Sequence, residues 1–551
     1  MTITTPKRLP AHLPLMRQLS TSKALSLSKN VIAHANSPVL TKVFAADAAR
    51  PGKTRKVSLE TFLQLALAYK RTHLKEAFLL TEVARWAAGF TAAQRAKIGL
   101  PDDWSYDNLQ TALKGLCRLI ADPEYRSTPR RPGLPSTHAF VNALIAASIP
   151  AGLPMPSVLA MDSTDIPTHA RRRSWLAVAD VEEGHLPVEN ARRDKPWNEP
   201  GWPRRDAAGR AVPTIDPDAR LGYRSELGGS GIFCGYDGHT LVDAGNRRGE
   251  VVPHLIRGVF VTPAGSYKAP AGIALIDSLR DSLAGHILTS DRGYTFARAE
   301  EWAYKLQDRS IDYVHDLHTK QRGERPSELP GTVWIDGTLF VDALPQKYRA
   351  LPVFVRGMSV AERMALMGLY DERAQWAFTN NRKLDGGSVQ MKGPARTGHV
   401  RCRNYPQSMR AKAHVPITTC VTGSSCACGA TKVIRRAEQA RERQLYPFGT
   451  RDWADYYGMR NSVESGNSQL KTWRGSLGRH STYVMGATAT TLVFALHCAA
   501  INLSLIDDAY DGEVTHTIRT RQHVPPAKRR RTPRTPAMHR RPALTRRQTT
   551  T

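Results

Sequence analysis

At 551 residues the chain is long enough for more than one domain, at roughly 100–200 residues each. Its 41% hydrophobic and 23% charged residues are ordinary globular usage and exclude wholesale disorder. A net charge of +29, from 78 Lys and Arg against 49 Asp and Glu, favours a polyanionic partner, either nucleic acid or an anionic membrane surface.

Residues 1–56 show little periodicity and read as a loosely structured lead. Residues 57–150 turn helical, with Leu59, Phe62, Leu63, Ala66 and Leu67 on one face and Leu109, Leu113, Leu116 and Ile120 on another. Ser105 or Asp107 is the expected N-cap of the second of these helices. A small all-α domain in so basic a chain is a candidate DNA-binding module.

From 154 to 317 the texture becomes α/β. Ser157–Ile166 reads as a buried strand, and a polar stretch through residue 230 reads as a loop or insertion. Two further strands, Ile232–Ala244 and Val251–Pro263, stand in hairpin relation. Ala269–Leu283 is an expected helix, His286–Tyr294 a strand with its exit turn, Ala297–Arg309 a helix and Ile311–Leu317 a strand. The rhythm then stops. Residues 318–445 read as a β-rich insertion, including a hairpin over Gly331–Leu344 turning at Asp336-Gly337. Helical pattern resumes over 446–510. Its apolar end, Thr488–Ile506, carries Thr490, His497 and Asn502, so a buried core helix is expected rather than a membrane span.

Residues 516–551 read as a disordered basic tail. Eleven Lys and Arg and no acid lie in His516–Thr551; taking those eleven from +29 leaves +18 on the rest of the chain. The part expected to fold is therefore basic too. Seven cysteines are too few for a disulfide scaffold, and the N-terminus lacks the apolar run of a signal peptide, so a reducing, intracellular setting is expected.

Two expected strands end in an aspartate where the chain leaves the sheet: Asp162 closes VLAMD and Asp291 closes HILTSD. Open α/β sheets build their sites at such strand ends. Asp165, three residues after Asp162, is the near alternative. On a continuous helix, Tyr457, Arg460, Glu464 and Lys471 share one narrow stripe, at offsets of 3, 7 and 14 residues. Three carboxylates from two strands and a helix suit a pair of hard, oxygen-seeking cations, with Arg460 and Lys471 placed to hold phosphates beside them.

With these motifs the chain resembles the DDE transposases of bacterial insertion sequences, in the group marked by Y-x2-R-x3-E-x6-K. Tyr457, Arg460, Glu464 and Lys471 reproduce that spacing. DSTDI (Asp162–Ile166) and TSDRGY (Thr289–Tyr294) match the first and second acidic strands, and DPDAR (Asp216–Arg220) and GYDGHTLVDA (Gly235–Ala244) resemble further family segments. The likeness covers roughly residues 154–506.

The resemblance implies an RNase H-like core in which Asp162, Asp291 and Glu464 are the catalytic acids and hold two Mg2+ or Mn2+ ions. It implies that Tyr457, Arg460 and Lys471 contact DNA. It further implies cutting and joining of double-stranded DNA at terminal inverted repeats, by a homodimer in the DNA complex. The setting would be the bacterial cytoplasm at the nucleoid, with no membrane partner. A catalytically inactive DNA-binding descendant and a non-transposing nuclease of the same fold are the competing readings. Some relatives flip a base onto an aromatic residue of the insertion; Trp334 and Trp376 are the candidates, with core packing the alternative. Charge thus reads as the grip around three buried acids.

Cys402, Cys420, Cys426 and Cys428 cluster in the insertion, with His399 and His414 nearby. Thiolates at that density can hold a structural Zn2+, although the spacing, C-x5-C-x-C after a distant first cysteine, departs from paired C-x2-C knuckles.

Overall fold

The structure, a computed structural model, describes residues 18–33, 38–123, 133–171, 205–206, 209–210, 212–223, 231–246, 250–279, 281–355, 357–411, 414–509 and 527–528. Most of the polar stretch before residue 230 and almost all of the basic tail lie outside them, and so do the expectations placed there.

The lead expected to be loose carries two helices, α1 (Thr21–Ala33) and α2 (Pro38–Ala48). Leu25, Leu27, Val31, Leu40 and Val43 on them are buried. Serines and lysines between those apolar positions blur the helical period, and tertiary packing supplies what the local pattern lacks. Helices α3 (Leu59–Thr72), α4 (Leu80–Ala88), α5 (Ala92–Ile98), α6 (Tyr106–Ile120) and α7 (Thr137–Ser148) follow. Ser58 caps α3 by accepting from the Thr61 N–H at 3.0 Å, and Ser105 rather than Asp107 is the N-cap of α6.

Helix α3 shows why this bundle is not an appendage. Its Lys70 is only 1% exposed, and its Nζ donates to the carbonyls of Glu76, Leu74 and His73 at 2.7, 3.2 and 3.3 Å. Those carbonyls follow the helix end and have no partner within the helix. Burial, opposed by Glu76, pushes the Lys70 ammonium down to about 7. Lys70→Met, which keeps the stem but removes the donors, is expected to destabilise the protein by about 2–4 kcal/mol in urea unfolding at pH 7. A change under about 0.5 kcal/mol, within surface-substitution range, would show that water satisfies the carbonyls instead.

The central sheet is formed by β1 (Val158–Pro167), β2 (Arg220–Tyr223), β3 (Ile232–Gly245), β5 (Ile256–Pro263), β6 (Ile287–Ser290) and β7 (Asp312–Val314). A two-residue strand, β4 (Glu250–Val251), pairs instead with Ala527–Lys528. The sheet order is β2-β3-β1-β6-β7, with β5 also pairing β3. Strand β3 runs antiparallel to β1, β2 and β5, whereas β1, β6 and β7 run parallel.

Alternation along β1 assigns its residues to two layers. Val158 and Ala160 join the helical core, while Leu159 and Met161 pack against α8 (Lys268–Asp277), the short α9 (Arg292–Thr295) and α10 (Ala303–Asp308). The chain is therefore a mixed α/β protein in which the N-terminal helices share one hydrophobic core with the sheet.

The insertion carries β8 (Glu324–Pro326), β9 (Thr332–Ile335), β10 (Thr338–Val341), α11 (Val360–Ala374), β11 (Thr379–Lys383), β12 (Val389–Lys392) and β13 (Thr431–Ile434), in two three-stranded sheets. The β9–β10 hairpin turns at Asp336 and Gly337 with φ of 49° and 72°, the two left-handed positions a tight hairpin turn requires. Helix α11 was not expected, yet Ser359 and Glu362 form a capping box at its start that the spacing S-x-x-E announces. Its Arg373 forms a buried ion pair with Asp336 at 2.7 Å and so locks the helix to the hairpin turn. Trp334 and Trp376 are 3% and 4% exposed within the insertion's own core, so neither presents a face to a base in this conformation.

The last part comprises α12 (Arg451–Gly458), α13 (Asn461–Ser468), a π-turn (Gln469–Trp473) and α14 (Ala487–Ala509). Helix α14 is long and apolar enough to cross a membrane, but 94% of its apolar window is buried inside the protein. Asn502 explains one of its polar residues: it accepts from the Ile256 N–H at 2.9 Å and donates to the Ile256 carbonyl at 2.8 Å, stitching the helix to β5. Arg71 of α3 pairs with Asp507 at 2.5 Å. The DPDAR segment holds the other end. Asp216 accepts from the Gly486 N–H at 3.1 Å and Asp218 from the Ala487 N–H at 2.7 Å, placing two carboxylates at the helix N-terminus.

Candidate active site

Strand register brings the first two acids together. Met161 of β1 pairs in parallel with Ser290 of β6, so Asp162 and Asp291 are the next residue on each of two adjacent strands. Asp291 occupies the N-cap position of α9 but makes no capping hydrogen bond, which leaves its carboxylate to the site. Asp162 continues β1 opposite Thr240 of β3, and the two share a face of the sheet.

Helix α13 crosses that same face. Thr240 donates to Asn467 Oδ1 at 3.5 Å, and a Cβ placed on Gly466 would meet Val242 at 3.2 Å. The absent side chain at Gly466 is what lets the helix lie so close to β3. Glu464 lies two residues earlier on the same helix, about 200° round its axis from Gly466, with its side chain half-exposed.

The stripe expected on one continuous helix is broken. Met459 caps the end of α12, α13 starts at Asn461, and Lys471 lies in the π-turn. Tyr457 stacks on Trp453 with ring centroids 5.1 Å apart, and the Arg460 guanidinium lies 5.8 Å from the Tyr457 ring. Arg460 donates to Glu464 Oε1 at 2.5 Å. Lys471 does not join them; it forms an ion pair with Asp165. The near alternative to Asp162 is thus committed to a lysine.

The acids are not equally buried. Asp162 is part-buried, whereas the side chains of Asp291 and Glu464 are 39% and 53% exposed. The picture of three buried acids does not hold, since none of them is fully buried. Nor are the three gathered tightly: among the described residues, the group of potential metal ligands drawn within 4.8 Å of one another is the four cysteines of the insertion. The Glu464 carboxylate is turned to Arg460 instead.

Two cations answer the negative charge. Lys268, at the start of α8, lies 3.9 Å from Asp291 Oδ2. Burial pushes the Asp162 carboxyl above the usual carboxylate range, with Asp291 adding to the effect and Lys268, the Ser163 N–H and Arg460 opposing it. Burial works against the Arg460 charge, but Tyr457, Glu464, Asp291 and Asp162 together hold its guanidinium above the ordinary value. Arg460 is therefore within electrostatic reach of all three acids, and it is in contact with Glu464. Lys268 has no motif around it in GSYKAP; only the fold relates it to Asp291. No family model matches the chain, and no curated protein matches it.

Proposed function

We propose that the chain is a metal-dependent transposase that cuts double-stranded DNA at the terminal inverted repeats of its element and joins the ends to a target. The observation that carries this reading is the placement of Asp162, midway along β1, beside the end of the adjacent parallel strand where Asp291 follows, with the helix that carries Glu464 across the same sheet face. The sheet order β5-β3-β1-β6-β7, antiparallel at β3 and parallel from β1 to β7, supports an RNase H-like core. The +29 charge supports a DNA partner.

The donor set fits hard divalent cations: three carboxylates, all oxygen, whose mutual repulsion already draws in Lys268 and Arg460. Asp162 and Asp291 would hold Mg2+ or Mn2+, joined by Glu464 once its half-exposed side chain turns from Arg460. Cations held there would supply the Lewis acidity for activating water or a 3′-hydroxyl and for stabilising the oxygen that leaves phosphorus. Arg460, released from Glu464, would pair with a phosphate through its planar fork, and Tyr457 would hold the Arg460 stem against Trp453. Lys268 neutralises Asp291 until DNA and cations arrive.

The test is cleavage and strand transfer in Mg2+, on duplexes carrying candidate end sequences chosen by searching the DNA that flanks the gene for short inverted repeats. Wild type is expected to nick or cut at the repeat end. Glu464→Gln is expected to bind the same DNA and cut at least about 10²-fold more slowly, the scale of losing one charge-stabilising group. Specific binding by wild type without cleavage in either metal would leave a DNA-binding protein. Cleavage without joining would leave a nuclease.

A further inference from the structure

We propose that Cys402, Cys420, Cys426 and Cys428 form a structural zinc site that staples the insertion. Four of the seven cysteines converge here, while Cys117, Cys234 and Cys498 lie elsewhere in the fold. Cysteines serving only as small apolar side chains have no reason to meet in one sphere.

The sulfur geometry is that of a tetrahedral thiolate cage. Zinc–sulfur bonds of about 2.3 Å in a tetrahedron put neighbouring sulfurs about 3.8 Å apart. Cys402 and Cys426 Sγ atoms are 3.7 Å apart, those of Cys420 and Cys428 are 3.6 Å apart, and all four lie within 4.8 Å. Cys402 and Cys428 are fully buried and Cys420 and Cys426 partly so, which closes the cage on the protein side. The Asn404 amide donates to Cys426 Sγ at 3.6 Å, the kind of outer contact that orients a thiolate ligand.

The surroundings need such a staple. Between Lys392 of β12 and Thr431 of β13, the described chain has one short 3-10 turn, Pro406–Arg410, and otherwise bridges and turns. Cys402 comes from one side of this excursion, and Cys420, Cys426 and Cys428 from the other. Asn404 already ties the two sides, donating to the carbonyls of Val421 and Ser424 at 2.9 and 3.0 Å and accepting from the Gly423 N–H at 2.8 Å. Cys428 ties the site to the turn that follows β12, since its carbonyl accepts from the Ala395 N–H at 2.9 Å. The irregular spacing of the four residues is no obstacle, because the ligands come from separate loops rather than from one knuckle. No open coordination position is left once four thiolates bind, so the role is structural.

The experiment uses the full-length chain purified under reducing conditions from zinc-supplemented culture. Elemental analysis is expected to give about one zinc per chain, with four thiols protected from native alkylation and released by a chelator. Cys402→Ser and Cys428→Ser are expected to lose that zinc, and Cys117→Ser to keep it. Because a ligand variant could misfold, wild-type protein is also to be exchanged into cobalt, where the intense visible bands of tetrahedral cobalt thiolate are expected. Metal-free protein with freely reactive thiols would overturn the proposal. So would two disulfides by mass spectrometry, bound iron in place of zinc, or zinc retained by both ligand variants. None of these outcomes depends on DNA cleavage, so the zinc site and the transposase reading stand or fall separately.

Discussion

Asp162→Asn and Asp291→Asn are each expected to slow cleavage of element-end DNA on the order of 10³-fold or more while leaving end binding within about twofold. On the proposed two-cation reading, the loss should exceed the roughly 10²–10³ cost of one missing charge-stabilising donor, because each change would remove an anionic ligand of those cations. Asparagine keeps the shape of the side chain and one acceptor oxygen, so the fold has no steric reason to respond.

The stability readout separates a catalytic role from a structural one. The Asp162 carboxyl is held above the usual range by burial and by Asp291. Its folded form binds a proton more readily than its unfolded form. Ionised Asp162 therefore weakens the fold as pH rises from the ordinary carboxylate range through its raised value. Asp162→Asn removes that penalty and is expected to hold or raise the melting temperature at pH 7.5. A variant that binds, melts as wild type and still cuts normally would take Asp162 out of the site. A clear fall in melting temperature would assign it to the scaffold.

Much of this arrangement could be read along the chain. Asp291 stands where a buried strand ends, and strand ends in a parallel sheet are where loops and ligands meet. Asp162, expected to close its strand, lies midway along β1 instead, because pairing with β3 carries the strand on to Pro167. The strands at Val158–Pro167, Ile232–Gly245 and Ile287–Ser290 were legible because runs of Val, Leu, Ile and Thr bounded by turn residues leave little choice. Helix continuity was not legible. Spacing put Tyr457 and Lys471 on one stripe, but the chain changes direction after Gly458 and widens into a π-turn at Gln469, sending Lys471 to Asp165.

Lys268 and α1 were missed for a related reason. Each owes its place to tertiary contact, Lys268 with Asp291 across the sheet end and α1 with the face of α3, and neither contact leaves a local period. The roles of Asp216 and Asp218 as anchors for α14 likewise appear only when residues some 270 positions apart are brought together.

Acid is expected to unfold the protein between about pH 6.5 and 4, ahead of general carboxylate protonation. Burial pushes three histidines down: His138 and His315 to about 4 and His239 to about 3, from an ordinary value near 6.5. Their neutral forms are built into the structure. His138 Nε2 accepts from the Val261 N–H at 3.0 Å while its ring stacks on Phe260, so a proton at that nitrogen would set donor against donor. His239 Nδ1 shares a hydrogen bond with the Tyr294 hydroxyl at 2.8 Å, inside a fully buried pocket.

Folded values below the unfolded one mean that the unfolded chain takes up protons first. Stability is fully present above pH 6.5 and falls as pH drops toward the folded values. Each of these lowerings corresponds to on the order of 3 kcal/mol by pH 4, and the three together rival the 5–15 kcal/mol that usually holds a domain together. Buried carboxyls with raised values, Asp162 and Asp243 among them, oppose this by binding protons in the folded state. They act between their raised values and the ordinary carboxylate range, so they offset part of the histidine loss within the same window.

His138→Gln offers an amide oxygen to Val261 and cannot titrate. It is expected to lower stability at pH 7.5, through lost stacking, yet to flatten the fall between pH 7.5 and 5. The measurement is urea unfolding at both values. An unchanged difference between them would show that His138 already carries its proton in the folded protein.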